Sequence, residues 1–151
     1  MRTTESPENE WQRIWFSIRQ QRWTSLALVP GQGGVDVATV ADKLAATVRL
    51  HGEHPVTVVN ATRIQIGNVQ QTIDSITTAT TRGDYVLIAV DPIDENPSAI
   101  GIVQAASAAL LVLRLGESRL TAAQGTIDAI GRDRFLGSIV VDDAANAALL
   151  K

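Results

Sequence analysis

The sequence predicts an α/β fold: a doubly wound, mainly parallel sheet of about five strands with helices on both faces. Three observations lead there. Short aliphatic runs recur along the chain, each ending at a polar or turn residue. The stretches between them carry the three-and-four spacing of helices, so strand and helix alternate. At 151 residues, 45% apolar and 19% charged, the chain can bury one ordinary core and has no room for two.

Glu8 to Arg22 has the pattern of an amphipathic helix, with Trp11, Ile14, Trp15 and Ile18 on one face. Two readings stay open for that stripe: it packs on a sheet edge, or it is an exposed surface for a partner or another copy. The strands follow as Ser25 to Val29, Val56 to Asn60, Tyr85 to Val90, Ala109 to Arg114 and Phe135 to Val141. Their near-continuous hydrophobicity is that of strands covered on both faces, as in a parallel sheet. Helices are expected over Val37 to Leu50, Asn68 to Thr80, Ser98 to Ala106 and Leu120 to Gly131. In the first of these, Val37, Val40, Ala41, Leu44, Ala45 and Val48 form one buried face. The Ala-rich end, DDAANAALLK, is either a last helix turn or a frayed tail. The chain thus divides into an amino-terminal polar segment and helix (1–24), the α/β domain (25–143) and a tail (144–151).

Composition excludes several functions. A net charge of −3, with both signs interspersed, does not suit a nucleic-acid surface, which needs clustered Lys and Arg. With no cysteine, thiolate metal sites and cysteine nucleophiles are absent, which fits a reducing compartment. His51 and His54, in RLHGEHP, have only Glu53 as a nearby carboxylate and are expected in a surface loop. The amino terminus lacks the apolar core of a secretion signal, and the longest apolar run, Ala108 to Leu113, is far too short to span a bilayer. A cytoplasmic protein is expected.

The most informative stretch is SLALVPGQGGVDVATVADKLA, from Ser25. A strand enters a loop with Gly31, Gly33 and Gly34 and leaves it into a helix, the arrangement in which backbone N–H groups cradle phosphate. The segment resembles the P-loop of the bacterial tyrosine kinases that control capsule and exopolysaccharide synthesis, and more distantly the ParA and MinD ATPases. The family's loop, of the form PGEGKSTVAANLA, aligns with Pro30 to Asp42. On that alignment the degenerate loop is Gly31, Gln32, Gly33, Gly34, Val35 and Asp36. The phosphate-binding lysine falls on Gly34, and the two hydroxyl residues that help hold Mg²⁺ and phosphate fall on Val35 and Asp36. A carboxylate at the loop mouth repels phosphate, and Asp36 suits the helix N-cap instead.

The resemblance extends along most of the chain. Glu10 and Arg13 match the family's E-x-x-R-x-x-R oligomerisation helix, while Phe16 stands where the second arginine belongs. VTVVNAT is similar to the family's VLLIDAD, with Asn60 in place of the acid that helps organise the metal. GDYVLIAVDP is similar to YDYVIIDTPP, and the Walker B aspartate falls on Ala89. Asp91, two residues on, is either a relocated metal ligand or a turn residue before Pro92. The segment from Ala108 to Asp142 follows the family's strand, loop, helix and final strand. The family's C-terminal tyrosine cluster is missing, since Tyr85, the only tyrosine, lies in a strand.

Loss of the lysine, the hydroxyl pair and both acids removes the groups that handle Mg-ATP, and phosphoryl transfer depends on those charges. The resemblance therefore implies a pseudokinase, a non-catalytic structural or regulatory partner in exopolysaccharide assembly. No cofactor is expected, and ATP with Mg²⁺ only as weak binding. The implied partners are a membrane polysaccharide co-polymerase, an active kinase relative or a second copy, met through Glu10, Trp11, Arg13, Ile14, Trp15 and Phe16. Such a partner would recruit the chain to the inner membrane face, with no direct membrane insertion and no nucleic acid. The alternative is an anion- or nucleotide-binding protein that uses the loop without the lysine, helped by Arg114 or Arg119. A third reading, a membrane-positioning ATPase of the MinD type, has less support, because the sequence shows neither the catalytic motif nor a basic amphipathic C-terminal helix.

Overall fold

In the computed structural model, which describes residues 7–52, 54–116, 120–142 and 147–150, the chain runs α1 (Pro7–Arg19), β1 (Ser25–Pro30), α2 (Val37–His51), β2 (Val56–Ala61), α3 (Val69–Thr81), β3 (Tyr85–Val90), α4 (Ser98–Ala105), β4 (Ala108–Arg114), α5 (Leu120–Ile130), β5 (Phe135–Val141) and β6 (Ala147–Leu150). The sheet has six strands in the order β2-β3-β1-β4-β5-β6. The first five are parallel, as their two-sided hydrophobicity predicts.

Right-handed crossovers fix the layers. The chain leaves β1 leftward past β3 to β2, placing α2 on one face, and then returns rightward, placing α3, α4 and α5 on the other. Two cores result. One packs α1 and α2 on Leu26, Leu28, Leu87, Leu110 and Ile139. The other packs α3, α4 and α5 on Ala27, Val29, Val86, Ile88 and Ala109. Alternate residues of β1 and β3 thus serve opposite cores, which is why no polar position interrupts either strand.

The stripe on α1 belongs to the first core: Trp11, Ile14, Trp15 and Ile18 are all buried. Trp15 meets Trp23 edge-on at 6.2 Å and Tyr85 at 5.6 Å between ring centroids. The helix ends at Arg19, short of the expected Arg22, because Ile18 becomes a turning point. Its carbonyl accepts from the backbone N–H of Gln21 at 3.0 Å and from Trp23 Nε1 at 2.9 Å, drawing Trp23 inward.

Two other expectations need correction. The tail forms neither a helix turn nor a frayed end over Ala147–Leu150: these residues make β6, antiparallel to Ser138–Val141. The outer edge of β5 offers unpaired backbone groups, and the short link after Val141 allows only the antiparallel return. His51 is the last residue of α2, not a loop residue, and its ring meets Phe16 at 4.9 Å; His54 lies in the following bend, against Tyr85 at 4.8 Å.

At the carboxy ends of the strands, β1 and β4 are neighbours whose outgoing chains turn to opposite faces, which opens a crevice where such folds bind ligands. β1 stays in register with β4 as far as Pro30 opposite Val112, but its pairing with β3 stops at Leu28 opposite Ala89. At the other end of the same strands Ser107 Oγ accepts from the backbone N–H of Thr24 and Ser25, at 2.9 and 3.0 Å, and donates to Ser25 O at 2.8 Å.

Candidate functional site

The glycine-rich loop sits at the mouth of that crevice. Gly31 is buried, and its N–H donates to Val112 O at 2.9 Å. A β-carbon there would come within 2.7 Å of Leu113 Cδ2, so the loop's first turn has no space for a side chain. Gln32, Gly33 and Gly34 turn outward, and Val35 packs against the first core.

Asp36 is the N-cap of α2. Its Oδ1 accepts from Thr39 N at 3.1 Å and its Oδ2 from Thr39 Oγ1 at 2.7 Å, satisfying a backbone donor that the helix leaves open. The Thr39 hydroxyl, and then the Thr39 amide, hold the Asp36 carboxyl below its ordinary value. It is therefore a carboxylate at neutral pH, at the helix end that a phosphate would approach. Gly34 has φ of +88°, a region where a β-carbon is strained, and position 34 precedes the helix rather than opening it. At Gly34 the loop thus follows a path that any side chain, a lysine included, would disfavour.

Two side chains that approach the loop have opposite charge. The Glu95 carboxylate, from the turn after β3, stands against Gly33 where a side chain at that position would go. Arg114 Nη1, at the end of β4, lies 3.7 Å from the position a β-carbon on Gly34 would take. Arg119 lies outside the described residues. Of the two, Arg114 was legible in the sequence as a cation following β4. Glu95 was not; the only signal was the acid-rich turn DPIDENP, whose approach to the loop depends on the sheet order.

The positions that align with the family's metal-handling acids lie as follows. Ala89 is fully buried in the first core. Asn60 Oδ1 accepts from Thr62 N at 3.1 Å and Thr62 Oγ1 at 2.6 Å, closing a local turn after β2. Asp91 Oδ2 accepts from Arg63 N at 2.6 Å and Asn96 Nδ2 at 3.0 Å. It joins the turns after β2 and β3 and accepts from the N–H of Arg63, whose φ is +60°. Asn60 and Asp91 thus serve the turns that follow β2 and β3. Among the described residues no group of three or more His, Asp or Glu side chains is placed to hold a metal ion.

Behind the loop, a cleft of about 400 Å³ separates α4 from α5, lined by Gly31, Ile93, Pro97, Ile100, Ala122 and Gly125 among others. It was not legible in the sequence, because it arises where small residues on α5 face α4.

The expected interaction helix divides in two. Trp11, Ile14 and Trp15 are core and cannot meet a partner directly. Glu10 and Arg13 pair within the helix at 3.5 Å, and Phe16 is 38% exposed, with the Arg19 guanidinium 4.9 Å above its ring. No helix among the described residues is long and apolar enough to cross a membrane.

No protein-family model matches the chain, and neither does any curated protein. Solved structures do match. The chimerical protein CapA2B2 superposes with a TM-score of 0.73 at 10% identity, over 89% of this chain and 83% of that one. The kinase domain of the Escherichia coli tyrosine kinase ETK gives 0.70 at 12% identity, over 92% and 76%. The BceF tyrosine kinase domain gives 0.65 at 14% identity, over 91% and 76%. This chain has the α/β fold of bacterial tyrosine kinase domains, with a glycine-rich loop at the same switch between strand and helix that its sequence places there.

Proposed function

We propose that this chain is a non-catalytic relative of the capsule and exopolysaccharide tyrosine kinases, acting as a structural or regulatory partner in polysaccharide assembly through its surfaces. One observation carries the proposal: the groups at the loop mouth are committed to holding the fold. Asp36 caps α2, Gly34 turns the chain at positive φ, and the Glu95 carboxylate stands against Gly33. A nucleotide would meet two carboxylates where kinase chemistry needs cations. The likeness of fold to the ETK and BceF tyrosine kinase domains supports this reading beside the resemblance in the sequence.

A second reading, an anion site that works without the lysine, has one observation in its favour, the approach of Arg114 to Gly34. A single experiment separates the two. The thermal midpoint is followed while Mg-ATP, Mg-ADP or inorganic phosphate is added, because a ligand that binds only the folded state raises it. The non-catalytic reading expects no change with any of the three. A rise with nucleotide refutes it, and a rise with phosphate alone supports the second reading.

A further inference from the structure

We infer that the outer surface of α1 and α2, toward their carboxy ends, is a docking surface for an anionic bilayer. The inference is independent of the loop, which lies at the opposite end of α2. The two helices lie side by side on one face of the sheet, joined by the contact between Phe16 and His51. Their exposed side chains include Arg13, Arg19, Lys43 and Arg49. The acids of the two helices are Glu8 and Glu10 in the first turn of α1, with Glu10 paired to Arg13, and Asp42 in α2; none lies in the last two turns of either helix. The chain as a whole carries −3, whereas the last two turns of these helices carry Arg13, Arg19 and Arg49 and no acid.

Large apolar side chains stand among these cations. Leu50 is 82% exposed and Phe16 is 38% exposed, though neither is needed to close the core. Cations around outward Phe and Leu are the composition of a surface that adsorbs to anionic lipid, the basic groups at the headgroups and the apolar groups entering the interface. The sign of the charge selects the occupant. Basic side chains beside outward apolar ones match a layer of anionic headgroups over acyl chains. The cleft between α4 and α5 is on the other side of the sheet. A bilayer needs no groove. Adsorption of this kind involves no membrane span and would hold the glycine-rich loop away from the lipid.

Arg19 and Arg49 also stand in the last turns of their helices, where a cation stabilises the helix end in any case, and Arg49 Nη2 donates to Val56 O at 3.2 Å. The test must separate the two roles. The full chain is floated with vesicles of phosphatidylglycerol in phosphatidylcholine, and with phosphatidylcholine alone, at low and high salt. Binding to the anionic vesicles only, weakened by salt, is expected. Each arginine near an anionic surface contributes about fivefold in partitioning, so Arg19→Gln with Arg49→Gln lowers binding about 25-fold. Leu50→Gln, at a side chain so exposed that folding is unaffected, lowers it further with no change in thermal midpoint. Equal binding to neutral vesicles, or indifference to the arginine pair and to Leu50, overturns the inference. So does retention on immobilised polyglutamate without flotation, which would make the occupant an acidic protein segment.

Discussion

Restoring the missing lysine, as Gly34→Lys, separates the chemistry of the loop from its shape. At φ of +88° an L side chain costs about 1–2 kcal/mol relative to glycine. In a domain of this size each kcal/mol shifts the thermal midpoint by about 2–4 °C, so the variant should melt about 2–8 °C below the wild type. If the lysine rebuilt a nucleotide site, ligand at a hundred times its Kd would return about 2.7 kcal/mol, a rise of about 5–11 °C. The expected result is the loss without the recovery. Asp36 still caps α2 with a carboxylate, Glu95 still stands against Gly33, and Ala89 and Asn60 still supply no charge for a metal. Differential scanning calorimetry of wild type and variant, each with and without Mg-ATP, reads both quantities together. A variant as stable as the wild type would show that position 34 is not held at positive φ. A nucleotide-dependent rise would show that the lysine alone separates this loop from a working one, and would refute the proposal that the pocket no longer serves ATP.

Two further predictions concern what holds the site in place. Asp36→Ala should cost about 1 kcal/mol in urea denaturation through loss of the cap. Because the folded state holds this carboxyl below its ordinary value of 3.8, the stabilisation is complete above that pH and is lost as the pH falls through the lower folded value, so the gap between wild type and variant should close only in acid. Trp15→Ala should cost about 3–5 kcal/mol, because the side chain is fully buried, and Phe16→Ala less than about 1 kcal/mol. Equal small costs for both would mean that the stripe on α1 is not core.

Much of the fold was legible because the signals were local and repeated. The runs Leu26 to Pro30 and Tyr85 to Val90 announce themselves because no polar residue breaks them, and a strand with both faces covered needs that pattern. The cap at Asp36 was legible for the same reason, since its partner Thr39 is three residues away. β6 was not legible: Ala and Leu favour helix, and only the open edge of β5 makes AALL a strand. The end of α1 also escaped, because the chain stops coiling for the sake of Trp23, whose place in the core depends on Tyr85 from a distant strand. In the site, the absences could be counted along the sequence, but the replacements could not. Glu95 reaches Gly33, and Asp91 reaches Arg63, only after the sheet order β2-β3-β1-β4 has been set.

The early parting of β1 from β3 has a mechanical consequence. Proline at position 30 has no N–H to give, and β1 has already left β3 at Leu28, so the last stretch of the central strand is fastened on one side only, to β4. The sheet therefore carries a seam that starts at its upper rim and is stopped at the lower one, where Ser107 ties β1 to β4 and Val86 N donates to Thr24 O. The glycine-rich loop rides with the half containing β4 and β5, and the turn bearing Glu95 begins from the half containing β2 and β3. A load that spreads the two halves would lift the carboxylate from the glycine before it broke any rung of the ladder between β1 and β4.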